Sequence, residues 1–301
     1  MLPSLPTSYL AESLYGHWEI QNNSHCPCCG CSDSLSVSHE LKPDFHPPFQ
    51  LVDRLTQATS SICLLCGHLY RSDIYSREEI DTLFSLLVNK DDSTTGNYLD
   101  HNAQHSFSEK INSYNFREME LWRNRIEEFS ISAPDKVFKD ILFIRPASLS
   151  SLKALKARYP DSNIYWIDYS RFAIQQILSE PTLGYLEIRG SINSYLDINI
   201  GHLRFDLVIV NHCLQHSISL SDDLACLKNL AKKEGCFLFA NEVNRKLHNP
   251  FHTNHFSEYT LTNYLRNNFT TTLSFPNNIP LDVFKQGLFA GGINKDILAY
   301  S

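Results

Sequence analysis

Between residues 137 and 275, apolar runs of strand length alternate with segments of helical periodicity. "VFKDILFI" (137–144) reads as a strand, "LSSLKALKARY" (149–159) as a helix, "NIYWIDYS" (163–170) as a strand and "RFAIQQILS" (171–179) as a helix. "GYLEIRG" (184–190) is a short strand candidate, and "FDLVIVNHCLQH" (205–216) is an apolar strand ending in polar residues. "LSDDLACLKNLAKK" (220–233) follows as a helix, "EGC" as a turn and "FLFANEV" (237–243) as a strand. "SEYTLTNYLRNN" (257–268) is a helix, and "FTTTLSF" (269–275) with the segment after Gly287 supplies a final strand pair. Such alternation requires a mostly parallel sheet covered by helices on both faces, an α/β fold.

Upstream, "SREEIDTLFSLLV" (76–88) opens on a capping-box pattern, Ser76 with Glu79, and predicts a helix. "NKDDSTTGNYLDHNAQHS" is a polar loop, and "FSEKINSYNFREMELWRNRIEEF" (107–129) has helical periodicity. "SISAPDK" marks a boundary near residue 133. The chain therefore divides into an N-terminal module over 1–75, a helical linker over 76–132 and the α/β domain over 133–301.

Six of the nine cysteines lie between Cys26 and Cys66. "MLPSLPTSYLAES" has neither the basic nor the apolar region of a signal peptide. No apolar run approaches the roughly 20 residues that span a bilayer. Net charge is −7 with no basic block, which argues against nucleic-acid binding. The expectation is a cytosolic chain with no membrane or nucleic-acid partner, and in a reducing compartment clustered cysteines point to metal rather than disulfides.

Cys26 and Cys29 precede Gly30, and Cys63 and Cys66 precede Gly67. Two thiolates three positions apart converge across a tight turn, and the glycine closes that turn without a Cβ penalty. Two such knuckles supply a four-thiolate tetrahedral shell suited to Zn²⁺, and a closed shell is structural rather than catalytic. The pattern resembles a zinc ribbon. Cys28 and Cys31 have the same spacing and remain an alternative to Cys26 and Cys29. The prolines of "KPDFHPPF" rule out a regular helix between the knuckles.

The order of pieces after residue 133 resembles the class I S-adenosylmethionine-dependent methyltransferases, a Rossmann-like family. The resemblance rests on "FDLVIVNHCLQHSISLSDDLACLKNLAKKEGCFLFANEV" and on "NPFHTNHFSEYTLTNYLR". Phe205 and Asp206 stand where the family opens a strand, His216 in the segment after it, and Lys232, Lys233 and Gly235 in the following turn. A zinc ribbon ahead of this core resembles a subgroup acting on sugars and other small metabolites. The resemblance covers roughly residues 20–70 and 135–275, and it implies a methyltransferase-like fold with S-adenosylmethionine as cofactor and a small-molecule substrate.

The cofactor loop departs from that pattern. The family's acidic residue near the end of the first strand is Phe143 here, and its three loop glycines are Arg145, Ala147 and Leu149. Glycines at such a turn let the backbone approach a cofactor. Side chains in their place fill that space, and Pro146 sets the turn differently. Ser191 falls where the family often has an Asp contacting adenine. Asp168 fits the resemblance, an acid at the end of the second strand where a ribose diol is bound, although a turn acid reads equally well. Arg145 suits a carboxylate or phosphate, or else a salt bridge or a solvent-directed head group. Asn211, at the end of the "FDLVIVN" strand, completes the cofactor-side candidates with Arg145, Asp168 and Ser191.

His212 and His216 stand four apart at a strand end, and His252 and His255 three apart in "FHTNHF". A neutral histidine there can take a proton from an acceptor, which makes His216, His252 and His255 the catalytic candidates. The four histidines also permit a mononuclear metal site. Cys213, Cys226 and Cys236 sit in apolar surroundings and read as packing residues. Three functions follow: a small-metabolite methyltransferase with an eroded loop, an inactive methyltransferase-fold binding or partner subunit, and an enzyme using the cleft for another anionic ligand.

Overall fold

The computed structural model describes residues 20–22, 24–40, 57–75, 119–130, 136–146, 149–168, 177, 184–185, 202–240, 252–269, 271–276 and 295–300. The expected helix over 76–88, the loop after it, "KPDFHPPF", Ala147 and Ser191 lie outside the described residues, as does most of the expected helix over 171–179.

The large sheet is built from β6 (Asp140–Ile144), β7 (Asn163–Ile167), β8 (Gly184–Tyr185), β9 (Phe205–Asn211), β10 (Ala231–Ala240), β12 (Thr271–Pro276) and β13 (Lys295–Tyr300). Their spatial order is β12-β13-β10-β9-β6-β7-β8. The five strands from β10 to β8 are parallel, and β13 runs antiparallel to both β10 and β12. The α/β architecture expected from the alternation, Rossmann-like as the resemblance implied, is the one observed.

The strand sequences explain why both faces are covered. Leu142, Ile144, Val208, Val210, Phe237 and Phe239 form one cluster with Leu220, Leu224, Leu227 and Leu230 of α3 (Leu220–Leu230) and Leu261, Tyr264 and Leu265 of α4 (Glu258–Arg266). The intervening residues, Ile141, Phe143, Leu207, Ile209, Cys236 and Leu238, pack on the opposite face. There they meet Trp122, Ile126 and Phe129 of α1, whose described part is 119–130, and Leu152 and Leu155 of α2 (Leu149–Arg158). Successive side chains point to opposite faces, so a strand apolar at every position needs a helix layer on each side. Phe143 is fully buried and meets Trp122 edge-on at 4.7 Å. The position aligned with the acid of the resemblance is thus a core position. The serine expected to start α4 does so, since Ser257 and Thr260 form a reciprocal capping box.

One boundary differs from expectation. The helix over 220–233 ends at Leu230, and the residues read as its last turn and a loop belong to β10. Ala231 pairs with Phe205 before the register shifts ahead of Cys236. Charge pairing accounts for the early start: Lys232 Nζ lies 3.0 Å from Asp140 Oδ2 and 2.9 Å from Asp206 Oδ1. Asp206 Oδ2 also accepts from the amides of Lys139 and Asp140, so the amino ends of β6, β9 and β10 are tied together.

The N-terminal module folds around β2 (Ser34–Glu40), β3 (Gln57–Cys63) and β4 (Leu69–Arg71), with β1 (Ile20–Asn22) paired to β5 (Asp73–Tyr75). Its sheet gains a strand from the α/β domain: β11 (Asn254–His255) pairs antiparallel with β4. Among the described residues, no helix is long and apolar enough to cross a membrane.

Gly235 sits at the irregularity of β10. A Cβ there would lie 2.9 Å from Ala231 Cβ and 3.0 Å from the carbonyl oxygens of Lys232 and Phe205. Backbone cannot yield as a flexible side chain does, so Gly235→Ala should destabilise the fold by about 1–3 kcal/mol. The expected readout is a lower urea midpoint at unchanged slope, and an unmoved midpoint would show that the strand relaxes there.

Candidate functional site

The chain leaves β6, builds β7 and β8 outward on one side, and returns to build β9 on the other. The carboxyl ends of β6 and β9 therefore flank the switch point, where open α/β sheets place their ligands. Arg145 and Pro146 leave β6 there, and Asn211 and His212 end β9. Both Arg145 and His212 adopt positive φ, 60° and 54°. This region is uncommon for residues with a Cβ, and strained backbone of this kind gathers at functional sites.

The two strand ends are joined by side chains. The Arg145 guanidinium donates to the carbonyl of His212. The Asn211 amide donates to the carbonyl of Arg145 at 2.8 Å, and the Arg145 backbone amide donates to Ile167 O of β7 at 2.7 Å. Asp168, one residue beyond β7, is buried. Arg145, Asp168 and Asn211 thus occupy neighbouring strand ends. Leu149, at the third glycine place, opens α2.

The histidines gather beside this edge. After His212 the chain makes a 3₁₀ turn, Leu214–His216. Gln215 Nε2 lies 2.8 Å from His212 Nδ1 and 3.5 Å from His216 Nε2. The His216 ring meets His252 edge-on at 4.8 Å, and His252 meets His255 at 6.1 Å. All three are buried. Burial, reinforced by the cations of Arg145 and Arg125, pushes the His212 imidazole down to about 3. Burial also holds His252 well below the usual histidine range, with His216, His255, His212 and Arg145 adding to the effect. His212 and His252 are therefore neutral imidazoles at neutral pH. His212 in this state is a weak base, held by Gln215.

In the N-terminal module the two knuckles are near copies. Gly30 N donates to Cys26 O at 2.8 Å and Gly67 N to Cys63 O at 2.9 Å, with glycine φ of 72° and 71°. Cys26 N donates to Cys31 O at 2.8 Å and Cys63 N to His68 O at 2.9 Å. The sulfurs of Cys26, Cys29, Cys63 and Cys66 lie within 4.8 Å of one another. Across the knuckles, Cys26 Sγ is 3.6 Å from Cys66 Sγ and Cys29 Sγ is 3.5 Å from Cys63 Sγ. A tetrahedral zinc with bonds of about 2.3 Å holds its sulfurs about 3.8 Å apart, so the set fits the ion. Cys28 and Cys31 stand outside the converging set. A hydrogen bond from Cys28 is the main cause holding Cys26 down at about 4, while burial keeps Cys28 itself a thiol. Cys31 Sγ accepts from Asp33 N at 3.4 Å.

Among the described residues, these four cysteines are the one group of three or more His, Cys, Asp or Glu whose ligand atoms converge. The histidines are neighbours without forming such a set. Cys213 and Cys236 are buried as packing residues. Residue type does not mark Gln215, Thr253, Asn254 or His68 in the sequence, and their one signal is their position between or just after the candidate histidines and cysteines.

No protein-family model matches the sequence, and no curated protein matches it. Solved structures match in shape. A protein of Nostoc punctiforme PCC 73102 assigned as an O-methyltransferase is 14% identical, over 60% of this chain and 55% of that one, with a TM-score of 0.45. The plantazolicin methyltransferase BpumL, solved in complex with SAH, is 12% identical over 75% of this chain and 95% of its own, with a TM-score of 0.46. A SAM-dependent methyltransferase from Archaeoglobus fulgidus is 14% identical over 61% and 94%, with a TM-score of 0.44. This chain spans 55% of the length of the Nostoc protein. These structural neighbours are methyltransferases with various substrates. The fold itself rests on the observed strand order and the antiparallel β13.

Purified protein should carry one equivalent of zinc by elemental analysis. Cys63→Ser should lose the ion and destabilise the N-terminal module, because metal binding there is folding energy. Zinc-free protein prepared without chelator would overturn this.

The neutral histidines fix a pH dependence. An unfolded histidine binds its proton near 6.5, whereas folded His212 resists to about 3. Between these values the unfolded chain holds a proton that the folded chain lacks. Stability from this residue is complete above about pH 6.5 and is lost as pH falls toward 3, with a slope of about 1.4 kcal/mol per pH unit. His252 acts with the same sign. His212→Asn, which suits a left-handed backbone, should flatten the decline between about pH 5.5 and pH 4 by about one proton in denaturant titrations. An unchanged slope would show His212 protonated in the fold.

Proposed function

We propose that this chain is a methyltransferase-fold protein whose cofactor turn is closed by Arg145. It serves as a binding or partner subunit rather than as an efficient methyl-transfer enzyme. The observation that carries this reading is the bridge from the Arg145 guanidinium to the His212 carbonyl, laid across the switch point. A loop of glycines leaves that space to a ligand, whereas here a cation and its stem occupy it. Phe143 supports the reading, since the acid expected to anchor a loop and its cofactor is replaced by a core aromatic. In this view the four cysteines hold a structural zinc, and Asp168, Asn211 and the buried histidines line the same edge.

A working small-metabolite methyltransferase is the second reading, and one observation favours it. Arg145 keeps a left-handed backbone, the conformation that a glycine would supply at no cost. Were its side chain to swing outward, S-adenosylmethionine would lie against Asp168, and His216 with His252 and His255 would face the acceptor. Ser191 enters this reading by sequence position alone.

Calorimetric titration with S-adenosylmethionine and its demethylated product separates the two. An intrusion into a fitted site costs about 1–3 kcal/mol, which moves a micromolar site to about 10–100 μM or weaker. The expected result is no micromolar binding to the native chain and a gain of tenfold or more in Arg145→Gly. Asp168→Ala on that background should weaken binding again by about tenfold. Micromolar affinity in the native chain would overturn the closed-turn reading and favour the second.

A further inference from the structure

We propose that Asn254 couples the four-cysteine centre to the loop carrying Gln215 and His216, so that metal occupancy of the N-terminal module sets the geometry of the ligand-side histidines. This rests on reading the four cysteines as a metal centre.

The link is a chain of buried contacts. His68 stands two residues after Cys66, and its backbone carbonyl accepts from Cys63 N, which fixes it to the second knuckle. Its Nε2 lies 3.2 Å from Asn254 Oδ1. On the other side, Asn254 Nδ2 donates to Leu214 O at 3.1 Å and to Ser217 O at 2.6 Å. These carbonyls flank Gln215 and His216. The donor and acceptor halves of the amide are thereby assigned: Nδ2 serves the loop, so Oδ1 accepts and His68 donates from Nε2. One side chain spans the two units with a different chemical group toward each.

Neighbouring contacts act in parallel. Thr253 N donates to Gln215 O at 2.8 Å, its hydroxyl donates to Ser217 O at 2.6 Å, and Arg71 N donates to Thr253 O at 2.9 Å. The β11–β4 pairing carries Asn254 opposite Tyr70 and His255 opposite Leu69. The His68 ring packs 4.7 Å from Phe256, itself in the core of the α/β domain. Knuckle and loop meet through buried residues: His68, Asn254, Thr253, Gln215 and Ser217 are all at most 5% exposed. A buried amide satisfied on both sides loses its hydrogen bonds when either side moves, and leaving such a group unmatched is costly. Loosening the second knuckle therefore frees Asn254, and with it the 214–217 turn that holds His216 against His252.

The test is amide exchange on uniformly ¹⁵N-labelled full-length protein, with histidine ring-nitrogen spectra recorded on the same sample. Stripping zinc should speed exchange at His216, Ser217 and Thr253 by roughly tenfold or more, the equivalent of losing one or two hydrogen bonds, and restoring zinc should reverse it. Amides of Val208 and Phe239 in the central sheet should stay protected. Asn254→Asp should keep its zinc and still accept from His68, yet cannot donate to Leu214 and Ser217. It should show the same local acceleration and shifted ring signals for His216 and His252. This variant also decides the matter if stripping unfolds the whole chain, because its cysteines are intact. Zinc-loaded protein whose loop exchange is unchanged on stripping, or an Asn254→Asp protein with native exchange and native ring signals, overturns the coupling alone. Protein that binds no zinc overturns the metal-centre reading and the coupling with it.

Discussion

Parallel strands that end side by side and then diverge leave a gap at their carboxyl edge, and whatever fills it determines what the edge can do. Here the filler is the chain itself. The Arg145 guanidinium reaches the His212 carbonyl, and the Asn211 amide reaches back to the Arg145 carbonyl, so the ends of β6 and β9 are bridged in both directions. Two residues in left-handed backbone make the bridge geometrically feasible, one on each side of the gap. The strain is held by contacts around it: the Arg145 amide on Ile167 O and the His212 amide on Ala240 O anchor both residues to neighbouring strands. Removing water from this edge leaves His212 and His252 uncharged, because protonated rings beside Arg145 would be both desolvated and repelled.

The N-terminal module is continuous with this edge. Its sheet accepts β11 from the α/β domain, and Cys28 packs against the same core cluster as α3 and α4. A four-thiol centre has too little apolar surface to make a stable small domain unaided, and such modules draw on metal or on a partner surface. This chain supplies a partner surface from within: β11 of the α/β domain, which follows His252. The 3₁₀ turn of Leu214–His216 is held from above by Thr253 and Asn254 and from the side by the Gln215–His212 contact.

Sequence periodicity carried the architecture because local patterns encode it. Strands apolar at every position require two helix layers, and the doubled Cys-x-x-Cys-Gly brings four sulfurs together through turns closed within five residues. The departures at Phe143 and Arg145 were legible as changes of residue type. Where the pattern was weak, as in "AKKEGC", helix propensity gave way to ion pairs of Lys232 with Asp140 and Asp206, partners 92 and 26 residues distant in sequence. The sequence by itself settled the two helix layers and the mostly parallel sheet, and narrowed the first knuckle to Cys26 with Cys29 or Cys28 with Cys31, since each follows from neighbours a few positions apart; the structure chose the first pair and turned β13 antiparallel. Only tertiary structure decided that Arg145 turns onto His212, that the histidines of two distant segments share one buried cluster, and that Asn254 joins His68 to the 214–217 turn. Those contacts pair residues separated by 36 to 186 positions. No local periodicity records them, because burial and hydrogen-bond matching act only once the sheet has brought the segments together.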